Sequence, residues 1–214
     1  MPVPPQTDRA PCPPRPVSPL ARLADELTQA GTPDTARLRE LPFLSHVELR
    51  LDGTELDDVL ARRAGEFLGC GLPPHGSATG DSRRYVLWRE SGCYLVVSEP
   101  GTAAGLRAGL QLALGGDFGP VLGTVADIST QRTVLELSGP RARQVLQHGC
   151  SLDLHPRAFA LASCGPTMLA KAQVILHKTA ELPAYRILVS ASSADHVARW
   201  LLDAMADGVA ERSS

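Results

Sequence analysis

The sequence predicts an α+β fold: a duplicated unit of strand, helix, strand, strand and helix, with the helices packed on sheet. Three observations predict it. The segments HVELRL (46–51) and TVLELS (133–138) alternate apolar and polar residues with period two, and each runs through a glycine into a helical pattern. LDGTELDDVL (51–60) aligns with LSGPRARQVL (137–146) at a shift of 86, so that Leu56, Val59 and Leu60 fall on Ala142, Val145 and Leu146, the i, i+3, i+4 spacing of one helical face. CYLVVS (93–98) lines up with AYRILVS (184–190) at a shift of 91, and the helices behind pair Leu106 with Val197, Leu110 with Leu201 and Leu114 with Met205. Two matches at nearly equal shifts define pseudo-repeats at 43–115 and 125–207, within a single domain spanning 43–207.

Residues 1–19 carry eight prolines, each fixing φ and removing a backbone donor, and so form an extended arm. Residues 20–42 hold a short helix and a linker: Leu20, Leu23 and Leu27 share a face and Gly31 supplies a stop. That stripe needs a surface, in this molecule or in a partner. The first helix of copy one is charged as its dipole favours, with Glu55, Asp57 and Asp58 early and Arg62 and Arg63 late. The loop at 71–84 reads as a mobile insertion, and RYVLWRESGCYLVVS (84–98) as a hairpin turning at Glu90, Ser91 and Gly92. In copy two Gly139 frees the backbone, while Ser138 and Pro140 suit a cap and a first helical position. VILHKTAELPAYRILVS (174–190) is the matching hairpin. TMLAKAQVILHK (167–178) reads as one half-buried strand, with Met168, Ala170, Ala172, Val174 and Leu176 on the core face and Lys171, Gln173 and His177 on an open one. Neither copy can bury both faces of its sheet, so the two should pack as one body; residues 208–214 form a tail.

A formal charge of −2 over 214 residues gives no basic field for nucleic acid or anionic membrane. No apolar run approaches the roughly 20 residues a bilayer span needs, and the amino end lacks the apolar core of a secretory signal, so a cytoplasmic protein is expected. The five cysteines never form C-x-x-C and read as reduced thiols; His148, Cys150 and His155 come nearest to a metal set, with no second cluster to complete it. GDFGPVLG and GCGLPPHG lack a phosphate-loop pattern, and neither G-x-S-x-G nor H-E-x-x-H occurs. Arginine placement is more telling. Arg141 and Arg143 sit where a helix begins, at a cost of a few tenths to about 1 kcal/mol each, and Arg132 precedes the strand. An acidic group on another polypeptide would compensate them. Together with the loop after this helix, they nominate Arg132, Arg141, Arg143, Cys150, Asp153, His155, Arg157, Phe159 and His177 as partner contacts. His177 enters because it ends a strand beside the open face.

VADISTQRTVLELSGPRARQVLQHGCSLDLHPRAF (125–159), CGPTMLA (164–170), ADHVARWLLDA (194–204), LRELPF (38–43) and YVLWRESGCYLVV (85–97) resemble the gamma subunit of heterotetrameric sarcosine oxidase. GCSLDLHPRAF is the most specific string, and the resemblance covers nearly everything after the proline arm. The strand-SGP-helix element is more loosely similar to the glycine-cleavage T-protein and its folate-binding relatives. The resemblance implies a T-protein-like fold and an accessory, non-catalytic place in a complex with alpha, beta and delta subunits. That complex oxidatively demethylates sarcosine to glycine, with hydrogen peroxide and a one-carbon unit accepted by tetrahydrofolate. It implies no cofactor on this chain; FAD, FMN, NAD, tetrahydrofolate and zinc would belong to the partners. T-proteins carry acidic residues ahead of the strand matching VILHK, whereas this chain reads KAQVIL, and related gamma chains carry an arginine where this one reads LVSASSADH. The alternative is a stand-alone folate-binding protein or aminomethyltransferase-like enzyme.

Overall fold

Period-two alternation becomes ten strands among the described residues, and the sheets they form explain why neither repeat is complete by itself. The computed structural model describes residues 16–51, 57–115 and 123–210, without the side chains of 57 and 207–210. The proline arm to residue 15 with Cys12, Gly53, Glu55, Leu56, the Asp57 side chain, most of GDFGPVLG and the last tail residues lie outside the described residues.

Copy one supplies β2 (Ser45–Arg50), α2 (Asp57–Leu68), β3 (Ala78–Gly80), β4 (Arg84–Glu90), β5 (Cys93–Ser98) and α3 (Ala103–Ala113). Copy two supplies β7 (Arg132–Ser138), α4 (Ala142–Gln147), β8 (Cys164–Leu169), β9 (Ala172–Ala180), β10 (Ala184–Ser190) and α5 (Ala194–Ala210). Ahead of each copy lies one more strand, β1 (Arg37–Leu41) or β6 (Thr124–Asp127). The antiparallel sheets run β3-β4-β5-β2-β6 and β8-β9-β10-β7-β1, the same order position for position. The edge strands are exchanged. β1 precedes β2 in the chain yet pairs with β7, placing Leu38 opposite Leu137, while β6 precedes β7 yet pairs with β2, placing Val125 opposite Leu49. Each repeat therefore completes the sheet of the other.

Apolar residues form three cores. Val47, Leu49, Val86 and Val96 meet Leu60, Ala64, Leu106 and Leu110 of α2 and α3. Leu135, Leu137, Val174, Leu176 and Ile187 meet Val145, Leu146, Val197 and Leu201 of α4 and α5. Between the sheets, Tyr85, Leu87, Leu95 and Val97 pack on Val134, Cys164, Ile175 and Leu188. The layers run helix, sheet, sheet, helix. The helical stripe of Leu20, Leu23 and Leu27, carried by a 3-10 turn and α1 (Ala24–Gln29), packs into the α4 and α5 core, so the surface it covers is this molecule's own.

Several expectations are corrected. TMLAKAQVILHK is a hairpin: Ala170 and Lys171 both adopt positive φ, 51° and 66°, and form a two-residue turn. The turn shifts the alternation by one, so Leu169 opposes Ala172 on the core side and Met168, 39% exposed, points away. The face called open is covered by the other sheet, which is why Ile175 and His177 are buried. The 71–84 loop contains β3, whose approach is stitched to copy two: the Ala78 amide donates to the Ala162 carbonyl and the Cys164 amide to the Gly76 carbonyl. Nor is 20–42 a linker, since β1 edges a sheet. Ser138 ends β7 and caps nothing; α4 starts at Ala142 with Arg141 as its cap residue and no side-chain cap bond. Gly139 does what was expected, at φ 115°, where a Cβ would lie 2.7 Å from the Thr35 carbonyl oxygen. The repeats also align differently in detail. Val47 opposes Val96 and Leu135 opposes Ile187, which keeps the shift of 91 but moves the first strands two places from the shift of 86. Two places preserve the face, so the helical match survives the slip.

Candidate functional site

The ends of strands from both sheets, with the turn between β8 and β9, line an open cavity of about 680 Å³ whose wall includes Arg89, Arg132, Lys171, Gln173 and Ser190. Its cations are unevenly matched. Arg89 pairs with Glu48, whereas half-buried Arg132 has no acidic side chain within 4.0 Å among the described residues. Burial, and then the charge of Arg89, lower the pKa of Arg132, and Glu48 opposes them. The carboxylate on this wall is Glu90, held by Arg50 at 3.1 Å. KAQVIL forms part of the lining, so the place matching the acidic residues of T-proteins offers a cation and an amide. Such a cavity can receive an anion, but it has no free carboxylate among its described residues to act as a general base.

The nine nominated contacts do not converge. Arg132 lines this cavity. Asp153, His155 and Arg157 are exposed on the loop after α4, where the Asp153 carboxylate accepts the His155 amide at 2.9 Å and the Arg157 amide donates to His155 Nδ1 at 3.3 Å. Arg143 and Cys150 are half-buried, with Cys150 Sγ 3.9 Å from the Thr167 hydroxyl. The other three face inward. Arg141 is buried because the segment before β1 folds over it: its amide donates to the Thr35 carbonyl at 2.9 Å and its side chain lines a space of about 160 Å³ with Gly31, Val145 and Met205. Phe159 is buried and stacks on Tyr185, with ring centroids 6.5 Å apart. His177 lies between the sheets beside Tyr85, where burial and then Arg186 push its pKa down to about 4.

The histidine that sequence reasoning passed over is His46. It is 1% exposed, neither ring nitrogen makes a well-formed hydrogen bond, and burial, then Arg132, push its pKa down to about 4 against Ser129 and Asp127. Tyr85, Lys178 and Arg186 were also missed. The available signal was HK in a strand with apolar neighbours on both sides, the mark of polar groups forced between layers. Cys70, Cys93, Cys150 and Cys164 are free thiols, and burial pushes Cys164 up to about 12. Among the described residues no three His, Cys, Asp or Glu side chains gather as a metal site requires.

The architecture is that of the T-protein class. The aminomethyltransferase T of the glycine cleavage system from Bartonella henselae superposes with a TM-score of 0.57 at 16% identity, over 86% of this chain and 56% of that one, a likeness of fold alone. Within that class the chain belongs to the sarcosine oxidase gamma subunit family, whose model matches residues 53–207. It is 40% identical over 200 residues to the sarcosine oxidase subunit gamma of Corynebacterium sp. (strain P-1), covering 91% of this chain and 92% of that one. With the Arthrobacter sp. subunit it shares 37% over 196 residues, covering 89% and 90%. A chain of heterotetrameric sarcosine oxidase from Corynebacterium sp. U-96, solved in complex with pyrrole 2-carboxylate, superposes with a TM-score of 0.78 at 36% identity, over 90% of this chain and 95% of that one.

Proposed function

We propose that this chain is the accessory gamma subunit of a heterotetrameric sarcosine oxidase and braces larger subunits without catalysing a step. The observation that carries this reading is the likeness to a chain of such an oxidase over 90% of this sequence. The cavity beside KAQVIL, with cations on its wall and its carboxylate already held, supports the division of labour. In this reading the complex oxidatively demethylates sarcosine to glycine, forms hydrogen peroxide and passes a one-carbon unit to tetrahydrofolate. Its alpha, beta and delta subunits hold FAD, FMN, NAD and zinc, and it works in the cytoplasm. No described helix is long and apolar enough to cross a membrane.

Docking falls to the groups that present polar atoms outward. Arg132 in its cavity and Asp153, His155 and Arg157 on the loop are the contacts of this kind, with half-buried Arg143 and Cys150 behind them. The experiment is co-expression with the other subunits, comparing the native chain with Arg132→Glu and Arg157→Glu. Recovery of the complex should fall at least about tenfold for a reversed contact, since truncating a buried charge contact in an interface costs 2 kcal/mol or more. Normal recovery with both changes together would remove these residues from the interface. A sarcosine-oxidising activity in the lone chain would remove the bracing role itself.

A further inference from the structure

A second cavity, of about 440 Å³, opens where the two sheets meet, between β3 and β4 on one side and β9 and β10 on the other. Among its polar lining groups, Tyr85, His177 and Arg186 come from both sheets and share the space between the layers. Tyr85 and His177 are 3% and 7% exposed. His177 Nδ1 is buried without a hydrogen-bond partner, and the Tyr85 hydroxyl and Arg186 Nε, though close to each other, are buried without a well-formed one. A protein interior seldom leaves such groups unpaired, because each costs about 1–3 kcal/mol. One unpaired group and two poorly satisfied ones in a single cavity leave room for an occupant.

The charges narrow the chemistry. The Arg186 guanidinium lies over the Tyr85 ring, 4.6 Å from its centroid, and its nearest acid, Glu136, is 3.8 Å away and shared with Arg39 at 2.6 Å. Asp81 stands at the mouth with an oxygen already taken by the Arg83 and Arg84 amides, at 2.7 and 2.9 Å. The interior thus holds an incompletely matched positive charge, a hydroxyl and an imidazole, while the mouth is acidic. A monoanion that accepts several hydrogen bonds fits this better than a phosphate dianion. The planar fork of an arginine, fixed by stacking, suits a carboxylate. The Tyr85 ring, Ala78, Ala162 and Leu161 give the lining an apolar part, beside the hydroxyls of Thr79, Ser82 and Thr179.

We infer that this cavity is a binding site for a carboxylate, gripped by Arg186 with Tyr85 and His177 as further hydrogen-bond groups. The carboxylate is that of a small organic acid or of an acidic side chain or carboxyl terminus from a partner. Because its groups come from both sheets, an occupant ties the two repeats together. The inference does not rest on the assembly proposed above.

The test uses the full chain with labelled histidine, titrated with benzoate at constant ionic strength while the imidazole resonances are followed, with chloride and inorganic phosphate as controls. The expected result is a saturable shift at His177, absent at His46, with half-saturation at millimolar benzoate or below. Arg186→Gln should weaken it about tenfold or more, as expected for loss of one charge-assisted pair. Tyr85→Phe, which removes only the hydroxyl, serves the same purpose should the first variant not fold. Repetition in the assembled complex separates the sources: continued benzoate binding identifies a free acid, and a closed site with a partner carboxylate at Arg186 identifies a partner. Absence of a saturable His177 shift in the free chain, or phosphate binding as tightly as benzoate, would overturn the inference.

Discussion

Acidification should destabilise this fold through two histidines. His46 and His177 are both buried, and each has its pKa pushed from 6.5 down to about 4, chiefly by burial. In the unfolded chain these imidazoles bind protons as the pH falls through 6.5, whereas in the fold they stay neutral until near pH 4. The unfolded state therefore gains protons first, and stability declines from about pH 6.5 down to about pH 4 before levelling. At about pH 4.5 the linkage for a shift of this size amounts to about 2.5 kcal/mol per histidine, so about 5 kcal/mol for the pair. That is comparable with the whole stability of an ordinary domain, roughly 5–15 kcal/mol. Replacing either ring with an apolar one should flatten the dependence by removing its proton site, and should be tolerated because no well-formed ring hydrogen bond is lost at His46 and none at His177 Nδ1. The assay is urea unfolding at a series of pH values for the native chain, His46→Leu, His177→Phe and the double variant, with an imidazole titration of the folded native chain. Imidazoles titrating near 6.5 in the fold, or equal slopes in the native chain and the double variant, would refute the reasoning.

Other consequences follow from the packing. Leu38 is fully buried in the exchanged strand β1, opposite Leu137, so Leu38→Ala should cost about 3 kcal/mol in urea unfolding; a loss below about 1 kcal/mol would mean that β1 is not part of the core. Gly139→Ala should cost about 2 kcal/mol or more, since it adds a Cβ 2.7 Å from the Thr35 oxygen at φ 115°, whereas Gly101→Ala, at φ 78° with open space around it, should cost about 1 kcal/mol. Equal losses would show that the contact with the segment before β1 is absent. Cys164, buried and raised to about 12, should be alkylated last among the described thiols at neutral pH, and rapid labelling there would contradict its packing.

The duplicated unit was legible because repeated helical faces survive small register slips: Leu60 and Leu146, Leu110 and Leu201 are buried as the alignment places them. The exchange of β1 and β6 was not, because pairing partners far apart in the chain leave no periodic trace. The missed turn at Ala170 and Lys171 has a local cause, as alanine and lysine give no warning of a left-handed backbone. Alternation alone also misread the second face of β9, since a period of two separates faces without saying what covers each one. For the candidate contacts, charge type at a helix start identified arginines but not their direction. Arg141 and Arg143 lie two residues apart, and only the fold over Thr35 buries the first. The polar groups at the sheet junction come from both repeats, so spacing within either repeat could not have gathered them.

The most direct measurement of the central claim is sarcosine-dependent oxygen consumption by the purified lone chain, run beside the complex rebuilt with and without it. No turnover is expected from the chain alone, and intact complex should be lost when it is withheld. Steady turnover by the isolated polypeptide, or a complete and active assembly formed in its absence, would contradict the claim.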